Sequence, residues 1–140
     1  MLPERTNHTG IGTIERKNSG QPKHLKNLNF DNSYSRLPRS FFQVIAPKPV
    51  SDPRLIRLNN GLAKELGMDP CIVEERDLDI FAGNAAPSKS KQIAMVYAGH
   101  QFGNWVPRLG DGRAVLIGEV LDENGKRRDI QLKGSGPTLF

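Results

Sequence analysis

A glycine-rich turn that carries an arginine, followed twenty residues later by a lysine, holds the residue types best suited to chemistry in this chain. The turn is Gly110-Asp-Gly-Arg113, and Lys133 ends the next predicted strand. Glycines allow backbone amides to approach an anion closely, and arginine and lysine side chains neutralise its charge. The pattern therefore indicates a site that handles phosphate groups.

The spacing of this turn leaves two interpretations open. Gly110 and Gly112 do not begin a GxGxxG fingerprint, because Val115 occupies the third glycine position, and no Gly-Lys-Ser/Thr of a P-loop follows. The turn can be a tight connection between strands, or it can lie over the phosphates of a nucleotide with Arg113 forming charge-assisted bonds. Lys133 favours the nucleotide, because kinase-like folds use a strand lysine for phosphate contact, although exposed lysines are also common on edge strands.

Other reactive residue types are predicted to be structural. His100 has no second histidine or cysteine at ligand spacing, so we expect it to bond to neighbouring backbone. Asp111 is a turn residue first and a candidate acid second, and Trp105 is predicted to pack beside Pro107. Cys71 is the single cysteine, which excludes an intrachain disulfide and a thiolate zinc cluster, and we expect it in the core. No metal ligand is assigned in this chain.

The charge is distributed unevenly along the 140 residues. Residues 1–50 contain eight Lys and Arg against three Asp and Glu, and residues 51–140 contain twelve of each, so the net charge of +5 belongs to the first part. A basic tail can bind nucleic acid, but these charges form no block, so nucleic acid is not the favoured partner. No apolar run approaches the roughly 18 residues of a membrane span, and no secretory signal is recognisable, so we expect a cytoplasmic protein without membrane contact.

Composition divides the chain into a leader, residues 1–27, and a folded body, residues 28–140. The leader is basic and polar, and it has too few apolar residues to offset the entropy of ordering, so it is predicted to be disordered. In the body, residues 30–42 are predicted to lie extended across the surface with their aromatic side chains as anchors.

One clear helix and three strands are predicted in the body. Ser51-Asp-Pro53 opens the helix, which carries a stripe of leucines and ends at Gly67, and a shorter helix is indicated around residues 71–76. Strands are predicted at residues 93–98, 113–120 and 127–133, with a glycine-spaced connector after the first and an Asn124-Gly125 turn after the second. A helix followed by an antiparallel meander belongs to the α+β class.

Four strings of the sequence closely resemble the selenoprotein O (SelO/YdiU) family, over a region from about residue 28 to residue 138. They are Leu28-Asn-Phe-Asp-Asn-Ser33, Ala94-Met-Val-Tyr-Ala-Gly-His-Gln-Phe-Gly103, Leu109-Gly-Asp-Gly-Arg113 and Leu132-Lys-Gly-Ser-Gly-Pro-Thr138. Members of that family look like protein kinases in fold but act as protein adenylyltransferases, which move AMP from ATP to Ser, Thr or Tyr hydroxyls of proteins. Uridylylation from UTP is also attributed to bacterial relatives. The resemblance implies part of a kinase-like small lobe, with an N-terminal helix and an antiparallel sheet.

The resemblance also implies roles for four residues. Gly110, Gly112 and Arg113 match the family's nucleotide-contacting turn, and Lys133 matches its phosphate-contacting lysine. In the family, the glutamate partner of that lysine, the base and the Asn and Asp ligands of Mg²⁺ or Mn²⁺ follow later in the chain. The resemblance therefore implies no catalytic or metal-binding residue within residues 1–140, and we expect these residues alone to transfer no AMP.

Two hypotheses from other classes stand beside the transferase. One is a short non-catalytic module that docks a partner through the aromatic segment 30–42. The other is nucleic-acid binding by the basic residues 1–27, which would weaken steeply with salt.

Overall fold

The computed structural model describes residues 23–110 and 112–139, with only the backbone of Lys26. As the sequence predicts, these residues form an α+β fold, with a five-stranded antiparallel sheet and two short α-helices. Within them, no helix is both long enough and apolar enough to cross a membrane. The strands are β1 (Phe42–Val44), β2 (Ile93–Gln101), β3 (Asn104–Gly110), β4 (Ala114–Leu121) and β5 (Arg127–Lys133). The helices are α1 (Asn60–Glu65) and α2 (Glu75–Ala82), and three 3-10 turns precede β1.

The sheet has the order β1-β2-β4-β5, and β3 pairs with the second half of β2. β4 meets β2 at the pair Ile93↔Leu116. It then pairs antiparallel with β5 along the whole of both strands, beginning at Ala114↔Lys133. β4 therefore connects the two halves of the sheet.

Both faces of β4 are buried. On one face Leu116 packs with Phe42 and Ile93 in a smaller cluster. On the other face Ile117 belongs to a larger cluster, because neighbouring side chains of a strand point in opposite directions. The other buried members of the larger cluster are Leu25, Leu28, Phe30, Ala63, Met68, Ile80 and Val120.

The turn between β4 and β5 contains the Asn124-Gly125 pair that the sequence predicts, with Gly125 at φ +73°. The buried carboxylate of Asp122 accepts the N–H groups of Asn124 and Lys126, at 2.9 and 2.8 Å, and Nε of Arg128 at 3.0 Å. Burial alone would raise the pKa of Asp122, but these donors outweigh it and hold that pKa below its usual value of 3.8. An ionised carboxylate therefore stabilises the turn.

The prediction of a helix that opens at Pro53 is wrong, because α1 begins only at Asn60. Asn59 caps α1, since its side-chain oxygen accepts the N–H of Leu62 at 3.0 Å. The predicted end is confirmed, because Gly67 follows the last turn with φ +80°.

Tertiary contacts explain the late start of α1. The side chain of Asn84, directly after α2, accepts the N–H of Val50 at 2.8 Å and donates to its carbonyl oxygen at 2.9 Å. Residues 53–57 then lie beside α2, where they line a shallow cleft with Leu78 and Phe81. The chain is therefore held by a distant element just before residue 51, and residues 53–57 lie against that element where the leucine spacing favours a helix.

The short helix predicted around residues 71–76 is not formed there, and α2 begins only at Glu75 and continues to Ala82. Glu74 and Asp77 form a capping box at its beginning, and Gly83 ends it at φ +83°. Cys71 lies exposed ahead of this helix, so the prediction of a core cysteine is wrong. The Asp69 carboxylate accepts the N–H of Cys71 at 2.9 Å, which bends the chain at the surface there.

Residues 23–27 pack on the body, although the sequence assigns them to the leader. Leu25 is 1% exposed, and its N–H donates to the Asp77 carboxylate at 3.1 Å. His24 contacts the same carboxylate through Nδ1 at 3.1 Å. The packed body therefore begins before residue 28, while residues 1–22 lie outside the described residues.

The segment 30–42 uses its aromatic side chains as anchors, with one exception. Phe30 and Phe42 are buried, and Tyr34 packs beside the smaller cluster while its hydroxyl donates to a β2 carbonyl oxygen at 3.2 Å. Phe41 is 46% exposed. Its two ends therefore belong to the core, but the prediction of an extended segment is wrong, because 3-10 turns lie at Tyr34–Arg36 and Arg39–Phe41.

A buried carboxylate ties this segment to β4. Glu119 accepts Oγ of Ser33 and the N–H of Tyr34, each at 2.5 Å. From β5, Arg127 pairs with Asp31 at 2.6 Å. Polar bonds thus complement the apolar anchors along the same stretch.

The connector predicted between residues 98 and 113 contains a strand, β3, that the sequence analysis misses. β2 continues to Gln101 and turns through Phe102 and Gly103, which have φ values of +51° and +79°. Positive φ at both residues suits a two-residue hairpin, but Phe-Gly is not the usual Asn-Gly signal. Pro107 also argues against a strand, and it is tolerated here because β3 pairs with β2 alone among the described strands.

Gly118→Ala in β4 is expected to destabilise the fold by about 1–3 kcal/mol, because the core has no room there. A Cβ at this position would lie 2.4 Å from Cδ1 of Phe30 and 2.5 Å from Oδ1 of Asn32. Gly99→Ala in β2 is the matched control, since its Cβ would meet Cδ1 of Leu109 at an ordinary 3.5 Å. Urea unfolding followed by circular dichroism compares the two, and equal losses would contradict the close packing of β4.

Candidate functional site

The sheet brings the glycine turn and the lysine segment together. Ala114 pairs with Lys133 in the β4–β5 ladder, so Arg113 and Gly134 are the first residues beyond its end. The N–H groups of Gly134 and Ser135 both donate to the carbonyl oxygen of Arg113, at 2.9 and 3.2 Å. Two motifs twenty residues apart in the sequence therefore form one structural unit.

The loop after β5 closes onto the turn a second time. Thr138 donates to the carbonyl oxygen of Gly112 from its N–H at 2.8 Å and from Oγ1 at 3.0 Å. This path uses left-handed φ values at Gly112, Gly134 and Gly136, of +64°, +80° and +104°. The carbonyl oxygens of Gly112 and Arg113 each accept two hydrogen bonds within the protein, so their negative ends do not repel an anionic ligand.

A cleft of about 530 Å³ opens beside this unit. Its lining consists of Lys48, Pro49, Val50, Arg113, Gly134, Gly136 and Pro137. The side chains of Lys48 and Arg113 are both exposed. Two cations, glycine backbone and the lack of an acidic side chain among the described lining residues favour an anionic ligand.

The four residues that the sequence singles out take different positions. Arg113 lines the cleft, and Lys133 is exposed next to the lining residue Gly134 without being part of the lining itself. Gly112 anchors the loop through its carbonyl oxygen. Gly110 ends β3 and pairs with β2. The structure therefore brings Arg113 and Lys133 together, whereas Gly110 is a strand residue.

Arg113 in the cleft and Lys133 beside it are free of ion pairs within the described part of the chain. No carboxylate within residues 23–110 and 112–139 pairs with Arg113 or Lys133. By contrast, Arg36, Arg127 and Arg128 each form an ion pair. Arg113 and Lys133 are therefore available to an anion, although water and salt screen their attraction beyond about 8–10 Å.

One buried hydroxyl of the loop lacks a partner. Oγ of Ser135 is buried and has no hydrogen-bond partner in the described part of the chain. An unsatisfied buried donor costs about 1–3 kcal/mol. Such groups are often satisfied by a water molecule or an ion, which fits a loop that borders a polar site.

Lys48 is the cleft residue that the sequence analysis misses. Pro47 and Pro49 flank it and indicate only a non-helical stretch. Its N–H donates to the carbonyl oxygen of Ser135 at 2.7 Å, and a Cβ at Gly136 would lie 2.8 Å from Cβ of Lys48. These contacts join regions far apart in the sequence, so no local pattern could reveal them.

The remaining candidates lie away from this lining. His100 and Trp105 sit on the β2–β3 hairpin, where their rings meet edge to face with centroids 5.2 Å apart. Trp105 is nevertheless 60% exposed, so the predicted packing is only partial. Asp111 lies outside the described residues. Among those that are described, no group of three or more His, Cys, Asp and Glu side chains could hold a metal ion.

Comparison with known families decides the assignment of this chain. A family model described as protein adenylyltransferase SelO matches residues 24–140. The chain belongs to the SelO family. The matched region includes Lys48, the glycine turn and the loop after β5, so every lining residue of the cleft lies within the SelO region.

Curated relatives agree with the SelO assignment. The protein nucleotidyltransferase YdiU of Rhodopseudomonas palustris (strain BisB18) is 62% identical over 112 residues, which cover 79% of this chain and 23% of that protein. The YdiU protein of Rhizobium rhizogenes (strain K84 / ATCC BAA-868) is 61% identical over 113 residues, covering 81% of this chain and 22% of that protein. The SelO family is thus a family of nucleotidyltransferases, and this chain spans less than a quarter of the length of these relatives.

Gly136→Ala is expected to destabilise the chain more than Gly134→Ala. Alanine in the left-handed region costs about 1–2 kcal/mol at either position. Only at Gly136 would the new Cβ also collide with Lys48, for an additional cost of about 1–3 kcal/mol, since nothing lies within 4 Å at Gly134. Urea unfolding monitored by circular dichroism measures the difference, and a zero difference would argue against the close approach of Lys48.

Proposed function

We propose that this chain provides the phosphate-contacting wall of a protein nucleotidyltransferase that transfers AMP from ATP to Ser, Thr or Tyr hydroxyls of proteins. The observation that carries the proposal is a cleft lined by Arg113, with Lys133 directly beside its lining residue Gly134, in a chain of the SelO family. Transfer of UMP from UTP would use the same phosphate contacts and is the alternative within this chemistry.

Each predicted site residue has a physical role in this proposal. Arg113 offers a planar, permanently charged fork that can bond two phosphate oxygens at once, and Lys133 offers a compact charge beside it. Gly112 and Gly110 keep side chains away from the turn, so that a phosphate can approach the backbone. Together these residues bind and orient the phosphate chain of the nucleotide.

AMP transfer is an in-line substitution at the α-phosphorus. The acceptor oxygen bonds to phosphorus while the bond to the pyrophosphate oxygen breaks, and the hydroxyl proton passes to a base. Negative charge grows on the departing pyrophosphate, and cations already fixed in position stabilise that charge in the transition state. Arg113 and Lys133 suit this task. Among the described residues, the lining contains no acid or imidazole that could take the proton, so these cleft residues supply binding and charge rather than proton transfer.

A divalent cation is not assigned to these residues. The family resemblance implies Mg²⁺ or Mn²⁺, but no group of acidic and histidine side chains in the described residues is arranged to hold such an ion. The residues present therefore do not fit a metal centre, and no step of the proposal passes through one. ATP is the substrate of the cleft.

The alternative of a docking module built on residues 30–42 finds little support. Phe30 and Phe42 are buried in the protein's own core, and Tyr34 packs beside the smaller cluster. Phe41 alone among these aromatic side chains is largely exposed. The aromatic character of the segment is therefore explained by folding, without a partner.

Replacement of Arg113 or Lys133 by Met is expected to weaken ATP binding about three- to thirtyfold, or about 0.6–2 kcal/mol, because one charged phosphate contact is lost. Methionine keeps much of the side chain's apolar length and removes its charge. Isothermal titration calorimetry of the whole chain with ATP measures the effect. Lys64→Met, at an exposed lysine on α1 outside the cleft, is the control. Unchanged affinity in both cleft variants would reject the nucleotide assignment.

Residues 1–140 alone are expected to transfer no AMP to a protein acceptor. The lining residues that the structure describes include no base, and the cations of the cleft act in water, where screening weakens them. The purified chain is incubated with a general protein acceptor, Mg²⁺ or Mn²⁺, and ATP labelled at the α-phosphate. A parallel sample with the γ-phosphate labelled separates AMP transfer from phosphate transfer. Robust α-label on the acceptor would show that the expectation is wrong.

A further inference from the structure

The segment that carries Lys48 is held on both sides by tertiary contacts. Before it, Pro47 is buried, and a Cβ at Gly83 would lie 2.6 Å from Cβ of Pro47. After it, the Asn84 side chain bonds to both the N–H and the carbonyl oxygen of Val50, at 2.8 and 2.9 Å. The end of α2 therefore fixes the backbone of Lys48 without the help of any ligand.

Lys48 also contacts the glycine loop directly. Its N–H donates to the carbonyl oxygen of Ser135 at 2.7 Å. The N–H groups of Ser135 and Gly134 in turn donate to the carbonyl oxygen of Arg113. Lys48 and Arg113 are thus bonded through their backbones to the same short loop. They line one cleft from two separate elements, the segment 45–50 and the turn between β3 and β4.

The charge of Lys48 is not used for folding contacts in the described residues. Its side chain is exposed, and no carboxylate within residues 23–110 and 112–139 pairs with it. A fixed backbone with a flexible four-carbon side chain allows the ammonium group to reach a ligand in the cleft at small cost in backbone ordering. The lining residues within 23–110 and 112–139 offer this ammonium group no acidic side chain.

We propose that Lys48 is a third phosphate-contacting residue of this cleft, whose ammonium group pairs with the phosphate chain of the bound nucleotide. The inference rests on the proposed function and extends it, because Lys48 would make the cleft sensitive to the number of phosphates. A triphosphate carries more negative charge than a monophosphate and is attracted more strongly by an added cation. A nucleoside without phosphate gains nothing from Lys48.

The test measures binding of ATP, AMP and adenosine to the whole 140-residue chain by isothermal titration calorimetry. Lys48→Met is expected to weaken ATP binding about three- to tenfold, to weaken AMP binding less, and to leave adenosine unchanged. Lys48→Arg keeps the charge and is expected to bind ATP like the unaltered chain. The difference between Lys48→Met and the unaltered chain should shrink from about 50 mM to about 500 mM NaCl, because salt screens exposed charges.

Control variants separate the charge of Lys48 from its structural contacts. The bond to Ser135 uses the backbone N–H of Lys48, which every substitution except proline retains. Circular dichroism checks that each variant is folded, and Lys48→Gln repeats the measurement with a polar, uncharged side chain. Lys64→Met removes a charge outside the cleft and is expected to bind all three ligands normally.

ATP affinity that is unchanged in Lys48→Met and Lys48→Gln would overturn the assignment. The assignment would also be overturned if Lys48→Arg lost as much ATP affinity as Lys48→Met, or if Lys48→Met lost as much affinity for adenosine as for ATP. In either case the charge of Lys48 would not be the cause. If Arg113→Met and Lys133→Met weaken ATP binding while Lys48→Met does not, the Lys48 assignment alone fails. If the unaltered chain binds no ATP, or if all three methionine variants bind it normally, the proposed function fails as well.

Discussion

The register of β4 against β5 is the constraint on which the cleft depends. β4 is buried on both faces, with Leu116 in one apolar cluster and Ile117 in the other. A slip of one residue would exchange the two faces, and the loss of apolar burial on both sides opposes it. In the observed register Ala114 faces Lys133, so the residues just beyond the ladder meet. Apolar packing inside the sheet thus positions Arg113, although its own side chain lies in water.

Near the end of the β4–β5 ladder the protein exposes positively charged side chains, while it uses carboxylates elsewhere to hold the fold. The carbonyl oxygens of Gly112 and Arg113 are occupied by hydrogen bonds from the loop after β5, and no described carboxylate pairs with the cations at the cleft. Carboxylates elsewhere are used to hold the fold, as at Asp77, Glu119 and Asp122. The surface that results is positive and glycine-rich, which is the chemistry expected of a nucleotidyltransferase at its substrate's phosphates. Membership of the SelO family agrees with that chemistry.

Elements set by local interactions could be predicted from the sequence, and elements set by distant contacts could not. The Asn124-Gly125 turn and the flanking strands agree with prediction, because a hairpin turn and the apolar pattern of each strand depend on neighbouring residues. β3 escapes prediction because Phe102 adopts a positive φ that phenylalanine rarely does and because an edge strand accepts a proline. The early start predicted for α1 is wrong, and residues 53–57 lie instead beside α2, which is a contact between elements that local spacing does not reveal.

The candidate site likewise depends partly on local sequence and partly on contacts between distant residues. The sequence by itself determined the turn with Gly112 and Arg113, the strand that ends at Lys133, and the family, because glycine conformation and strand alternation are local properties and the family strings are continuous. Only the tertiary structure decided that Arg113 and Lys133 lie together, and that Lys48 lines the same cleft. The reason is physical. The strand register and the backbone hydrogen bond between Lys48 and Ser135 join distant parts of the chain. Both form only once the apolar core has brought those parts into contact.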